Sequence, residues 1–311
     1  MNISGVDSSF IKLALIFTIS VWSMPSAAVT CTGKGIEVQV LGSGGPEIQD
    51  MRASSSYVIW MDGKSRVLVD SGGGSALRFG QSGAQMQDLD LVLITHFHAD
   101  HSADFPALVK SSFFENRTRP LPVYGPTGSK YFPATTEFVQ AMFNAKTGAF
   151  RYLYDFITPG EASYTIQAND VDISKAGISA VYSDNGLKVS AVPVMHGPVP
   201  ALAWRVDVAG KSIVFSGDTN GNSGSLQKLA QQSDLLVAHN AIPEGTEGVA
   251  RNLHMPPSVI GRIASAAHVK HLVLSHRMLR TLGKEEETLR YIRNSYSGPV
   301  SFADDLDCYA P

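Results

Sequence analysis

Four side chains that bind metal ions well lie together in segment 96–101, which reads H-F-H-A-D-H. His96 and His98 are two residues apart, so in extended backbone both point to the same side and can grip one ion. Asp100 and His101 follow where the chain turns into a helix, and they project to a second point nearby. Imidazole and carboxylate together suit zinc. The segment therefore predicts a metal site.

Three further candidate ligands share one feature, because each directly follows an apolar run that reads as a strand. They are His196, Asp218 and His276, after the runs 187–194, 213–216 and 272–275. Loops after neighbouring strands converge on one rim of a sheet, so we expect these side chains to join the histidines of segment 96–101.

The elements that position these residues alternate between strands and helices. Further strands are predicted at 36–41, 56–61, 66–70, 91–95, 123–125, 202–208 and 235–239. Helices are predicted at 101–114, 127–143, 225–232, 257–268 and 284–294. This alternation predicts an α/β protein whose sheets are covered by helices.

Composition narrows the function classes. The chain has 311 residues, 44% of them hydrophobic, which provides a sizeable core. Its 25 Lys and Arg nearly balance its 28 Asp and Glu, for a net charge of −3. Proteins that bind nucleic acid usually carry a basic excess, so nucleic acid is not an expected partner.

The N-terminus reads as a secretory signal peptide over residues 1–28. An uncharged, mostly apolar run at 13–22 follows Lys12, and Ser26-Ala27-Ala28 offers small residues at a cleavage site. The alternative is an uncleaved anchor, but ten residues reach only about half of the ~20 that cross a bilayer. We therefore expect a mature chain of 29–311 in the periplasm or secreted, with no membrane span.

The two cysteines, Cys31 and Cys308, lie at opposite ends of the mature chain. In an oxidising compartment they can pair and join the termini. Two separate free thiols are the alternative.

Segment 131–178 differs from the rest of the chain in amino-acid composition and is interpreted as an insertion. Its first part, 131–164, holds nine aromatic side chains. We favour a small satellite core beneath a long loop, since aromatic residues mostly pack. An aromatic lid over a pocket is the alternative.

With these motifs in place, residues 35–303 resemble the metallo-β-lactamase superfamily, including Gly-rich turns at 41–46 and 69–72. The resemblance implies an αββα four-layer sandwich and two Zn²⁺ ions. It assigns ligands to each ion, with Asp218 between the two and Asp70 orienting a ligand histidine. The first ion would take His96, His98 and His196, and the second Asp100, His101 and His276.

Asp218 in a Gly-Asp-Thr setting and segment 254–263 resemble the ribonuclease Z and type III arylsulfatase branch. The branch implies that His254 faces the substrate. Asp100 and His254 are the candidate catalytic residues. A neighbour of a helix N-cap is the plain alternative for His254. Ribonuclease Z has a His-Glu-Ala segment where this chain has Asn240 in place of Glu. It also has a basic arm, whereas segment 131–178 holds three basic and five acidic residues. Both departures argue against tRNA.

The expected function is therefore zinc-dependent hydrolysis by a metal-bridged hydroxide, acting on small sulfate esters or phosphodiesters as arylsulfatase-like enzymes do. Three alternatives remain open on the same ligand set: a lactonase, a β-lactamase or another acyl hydrolase. A metal- or ligand-binding protein without turnover is the alternative from another class. A homodimer is compatible with the sequence.

Overall fold

The computed structural model describes Met1 and residues 31–311. Apart from Met1, the predicted signal peptide lies outside the described residues. Two seven-stranded sheets form the centre of the molecule. The first runs β14-β1-β2-β3-β4-β5-β6, with β1 Ile36–Gly42, β2 Ser56–Met61, β3 Lys64–Val69, β4 Leu91–Leu93, β5 Leu121–Pro126, β6 Ile166–Val171 and β14 Cys308–Tyr309. The second runs β13-β12-β11-β10-β9-β8-β7, with β7 Ser179–Asp184, β8 Leu187–His196, β9 Val199–Val208, β10 Lys211–Phe215, β11 Leu235–His239, β12 His271–Ser275 and β13 Val300–Phe302.

Helices cover the outer face of each sheet. They are α1 Ser75–Gln81, α2 Ala99–Ser102, α3 Phe105–Ser111, α4 Thr135–Phe143, α5 Ser225–Leu229, α6 Gly248–Leu253, α7 Pro257–Ala266 and α8 Glu285–Arg293, with short 3₁₀ turns at Ser112–Phe114 and Arg151–Ile157. None of the described helices is long and apolar enough to cross a membrane.

Three apolar cores hold the layers together. The central one packs Tyr57 of the first sheet against Trp204 and Phe215 of the second. The outer ones pack α3 and α4 on the first sheet and α5 and α7 on the second. Because each sheet buries apolar side chains on both faces, the strands read as near-continuous apolar runs. The predicted αββα sandwich is confirmed.

Two predicted helices differ from the structure. The helix predicted at 101–114 is divided into α2, α3 and a 3₁₀ turn, because Pro106 restarts the helix at its first turn. The helix predicted at 127–143 begins only at Thr135, because Pro133 disfavours helical backbone at the residue before it. There Glu137 accepts a hydrogen bond from the Ala134 amide and fixes the helix start.

The aromatic segment contributes buried side chains, as the favoured interpretation predicts, but they belong to the outer core of the first sheet. Phe138, Phe143 and Phe156 are buried in the outer core of the first sheet. Phe132, in contrast, packs edge-on against His98, with ring centroids 5.6 Å apart. The bounds of a 131–178 insertion stay a prediction.

Cys31 and Cys308 form a disulfide. Strand β14 pairs antiparallel with β1, which places Cys308 opposite Gln39 and close to the start of the described chain. The structure therefore agrees with paired cysteines and not with two free thiols.

Candidate metal centre

The predicted ligands meet at one edge of the two sheets. Segment 96–101 follows β4, and His196 ends β8. Asp218 and His276 lie just past β10 and β12. The structure brings all seven candidate ligands together, although they are spread over 180 positions of the chain.

The first group gathers His96, His98 and His196. Nδ1 of His98 lies 3.0 Å from Nε2 of His96 and 3.4 Å from Nε2 of His196. Together with one oxygen of Asp218, their donor atoms all lie within 4.8 Å of one another. Three imidazole nitrogens and a carboxylate converging on one point are a donor set that Zn²⁺ prefers.

The second group gathers Asp100, His101 and His276. Oδ2 of Asp100 lies 3.2 Å from Nε2 of His276 and 3.6 Å from Nε2 of His101. Asp218 stands between the groups, because its Oδ2 lies 3.5 Å from Nε2 of His196 and 3.7 Å from Nε2 of His101. A carboxylate that reaches both groups is placed to join two ions.

Hydrogen bonds behind the ligands leave their inward nitrogens free for a metal. Nδ1 of His101 donates to Oδ2 of Asp70 at 2.8 Å, and Asp70 is itself held by the amide and hydroxyl of Thr95. Nδ1 of His196 donates to the Leu253 carbonyl at 2.9 Å. Nε2 of His101 is buried without a hydrogen-bond partner in the described part of the chain. Such an orphaned nitrogen fits a divalent metal ion, with Asp70 in its predicted orienting position.

Two glycines of the predicted turns allow this close approach. A Cβ on Gly45 would lie 2.8 Å from Cε1 of the His276 ring, and one on Gly72 would lie 2.1 Å from the Asp100 carbonyl. Real Cβ atoms do not come this close, so any larger residue would displace the ligands. These turns therefore shape the metal centre.

The charges within the cluster balance. Burial by itself raises the pKa of Asp218, but His276, His254 and His196 hold it well below its usual range. Burial by itself lowers the pKa of His101, but Asp100 and Asp70 raise it to about 9. Because a ligand imidazole must give up the proton on the nitrogen that binds the metal, this raised pKa makes metal binding by His101 dependent on pH.

His239 belongs to the cluster, and the sequence analysis did not include it. Its Nδ1 lies 2.8 Å from Oδ1 of Asp218, and its Nε2 lies 3.1 Å from the Tyr57 hydroxyl. Because Nδ1 is already bonded to Asp218, we take Asp100 rather than His239 as the remaining ligand beside His101 and His276. His239 follows a buried apolar run, as the predicted ligands do, and that position was the available clue.

His254 lies beside the two groups, as predicted. Its ring centroid is 5.3 Å from that of His196 and 5.8 Å from that of His276. It is the C-cap of α6, and two residues separate it from the start of α7, whose N-cap is Pro256. Burial lowers the pKa of His254 to about 3, with His276 acting in the same direction and Asp218 opposing it. At neutral pH its ring is therefore neutral and carries one N–H.

Comparison with known sequences agrees with this geometry. The sequence pattern described as Beta-lactamase superfamily domain matches residues 65–277. Ribonuclease Z of Mycobacterium avium is 29% identical over 284 residues, covering 87% of this chain and 96% of that protein. Ribonuclease Z of Methanosarcina acetivorans is 25% identical over 305 residues, with the same two coverages.

Solved structures show the same fold. The short form of human tRNase Z superposes with a TM-score of 0.68 at 20% identity, covering 88% of this chain and 98% of that one. A metallo-β-lactamase fold protein of Bacillus subtilis gives a TM-score of 0.66 at 22% identity, with the same coverages.

Proposed function

Because the chain belongs to the metallo-β-lactamase superfamily, in the branch of ribonuclease Z, we propose that it hydrolyses small sulfate esters or phosphodiesters with two bound zinc ions. Its family and its buried His and Asp cluster make it a metal-dependent hydrolase acting on ester bonds. The kind of ester, and the identity and number of the metal ions, are what we propose here.

The position of Asp218 carries the proposal. One of its oxygens faces both histidine groups, while the other is held by His239. A single metal site would not need a carboxylate between two sets of ligands. This arrangement supports two ions, the first on His96, His98 and His196 and the second on Asp100, His101 and His276.

When bound, such ions lower the pKa of water and offset the charge that develops on the ester oxygen. The side chains around them hold and orient. Asp70 and the Leu253 carbonyl fix the rings of His101 and His196. In hydrolysis the oxygen of water bonds to sulfur or phosphorus, the bond from that atom to the ester oxygen breaks, and one proton of the water ends on the departing alcohol. That leaving oxygen needs a hydrogen-bond donor, and the neutral N–H of His254 supplies one.

Small esters and RNA are the two substrate classes to separate. The sequence led us to expect no nucleic-acid substrate, but relatives named Ribonuclease Z do not support that expectation. Two local features still favour small esters. Asn240 is buried and uncharged where the branch has Glu, and segment 131–178 is more acidic than basic.

A turnover panel tests the proposal. The purified protein with zinc is offered p-nitrophenyl sulfate, bis(p-nitrophenyl) phosphate, a lactone, a β-lactam and a precursor tRNA. Turnover of the sulfate ester or the phosphodiester supports the proposal, and Asp218→Asn should abolish it. If only the tRNA is cleaved, or only the lactone or the β-lactam, the proposed substrate class is wrong and the cleaved compound shows the right one. Zinc binding without any turnover would favour a binding protein.

Metal content is a separate test. We expect about two zinc ions per chain by elemental analysis, as the two ligand groups imply. His98→Ala and Asp218→Ala should each lower that number, whereas His271→Ala, which removes a histidine outside the cluster, should not. A content of one ion in the wild type would contradict the dinuclear site.

We also propose that the protein is exported. The apolar run at 13–22 and the small residues at 26–28 support this, and the disulfide agrees with an oxidising compartment. N-terminal sequencing of the natively produced protein should begin near Val29. An intact Met1 in the cytosolic fraction would contradict export.

A further inference from the structure

A cavity of about 570 Å³ lies over the hairpin of β8 and β9, whose pairing ends at His196 and Val199. Its floor is formed by β8 and β9, with α5 on one side and the loop before β7 on the other. Met195 and Gly197, the two chain neighbours of His196, both line it. The cavity therefore borders the segment that carries the candidate ligand His196.

The lining of this cavity is mainly apolar. Val192, Val194 and Ala201 are buried in its floor. Met195 and Ile178 form parts of its wall and are 50% and 55% exposed. Side chains of this size usually avoid water, so a ligand that covers them gains apolar burial. A volume near 570 Å³ is typical of small-molecule sites.

The charged side chains of the lining indicate which kind of ligand the cavity can bind. Among the described residues that line the cavity, the charged side chains are Lys175 and Lys228. Lys175 lies 3.9 Å from Asp172, which is outside the lining, so part of its charge is offset. The lining presents no carboxylate to repel an anion. The cavity therefore suits the apolar part of a molecule that carries negative charge elsewhere.

We propose that this cavity binds the apolar part of the substrate, an alkyl or aryl group whose anionic ester end lies at the metal centre. This inference rests on the proposed function and names its substrate class: sulfate or phosphate esters of apolar alcohols. An RNA chain, which is polar and charged at every nucleotide, gains little from such a surface.

Binding of alkyl sulfonates to the zinc-loaded protein tests the proposal without turnover, because a sulfonate has no ester bond to break. Butane-, hexane- and octane-1-sulfonate are compared by calorimetry. Burial of the chain should increase affinity by up to about fourfold per methylene. Affinity that does not depend on chain length overturns the proposal.

Ile178→Asp places a carboxylate in the cavity wall at an exposed position. We expect it to remove most of the chain-length dependence, an effect that charge repulsion at the anionic end cannot produce. Leu77→Asp, the same change at a 68% exposed position on α1, is the matched control and should leave the dependence intact. If the affinity of Ile178→Asp for the sulfonates increases with chain length as it does in the wild type, the alkyl chain does not bind in this cavity.

The two proposals fail separately. If the sulfonates bind with the expected chain-length dependence but no sulfate ester or phosphodiester is hydrolysed, the cavity stands and the proposed reaction is wrong. If these esters are hydrolysed but neither kcat/KM nor sulfonate affinity changes with chain length, the reaction stands and the cavity assignment is wrong.

Discussion

Asp218 depends on the side chains behind it for its orientation. The Tyr57 hydroxyl contacts Nε2 of His239, and Nδ1 of His239 contacts Oδ1 of Asp218. Because a carboxylate only accepts hydrogen bonds, the imidazole of His239 carries a proton on Nδ1 and donates it to Asp218. These two contacts in series fix one oxygen of Asp218 and turn the other oxygen toward both histidine groups.

Loss of His239 should therefore weaken metal binding. For His239→Ala we expect affinity for zinc to fall 10- to 100-fold, the usual cost of removing a group that orients a ligand. Competition with a chromophoric chelator measures it. Tyr57→Phe removes a hydroxyl one step further from the carboxylate and should cost less. Equal zinc affinity in His239→Ala and the wild type would show that Asp218 holds its place unaided.

His254 is expected to act on the leaving group rather than on the metal. His254→Ala should keep its zinc content, and kcat/KM should fall about 10²- to 10³-fold for esters with poor leaving groups, the usual cost of removing one hydrogen-bond donor to a developing oxyanion. Esters of p-nitrophenol leave readily as anions and should lose much less. A series of leaving-group pKa values measures this. If kcat/KM depends on leaving-group pKa as steeply in the variant as in the wild type, His254 does not act on the leaving group and is a packing residue.

The sequence predicted which candidate ligands lie together better than it predicted the groups behind them. Spacing predicts His96 and His98 because side chains two apart in extended backbone share a direction. His239 has no such partner in sequence, and its role comes from contact with Tyr57 across the sheets. The pKa of His254 could not be read from the sequence either, because it depends on burial among neighbours from distant strands.

At the scale of the elements, the Gly-rich turn after β1 supports the second ligand group. Gly45→Ala would bring a methyl group against the His276 ring, 2.8 Å from its Cε1. We expect the variant to lose about one zinc ion per chain while His98 and His196 keep theirs, as elemental analysis would show. Gly80→Ala, which meets nothing within 4 Å in α1, is the control and should retain both ions. Full metal content in Gly45→Ala would show that the turn shifts without cost.

Buried strands were the elements that could be predicted closely. Strands at 56–61 and 235–239 have the predicted bounds, because they bury apolar side chains on both faces. The edge-strand regions β6 and β7 escaped prediction, since many of their side chains are polar and exposed. Strand β14 has two residues and exists through its pairing with β1, which no local pattern reveals.

For the whole molecule, the disulfide spans 277 positions of the sequence and joins the segment before β1 to β14, at one edge of the first sheet. Such a closure restricts the unfolded chain far more than the folded one. We expect the double variant Cys31→Ser and Cys308→Ser to lose about 2–4 kcal/mol in the free energy of unfolding. Urea unfolding of the oxidised wild type and the variant measures this difference. Reductant should lower the stability of the wild type to that of the variant and leave the variant unchanged. None of the candidate ligands belongs to β14, so zinc content under native conditions should be the same in both proteins. Coincident urea transitions for the oxidised and reduced wild type would show that β1 and β14 stay paired without the covalent bond.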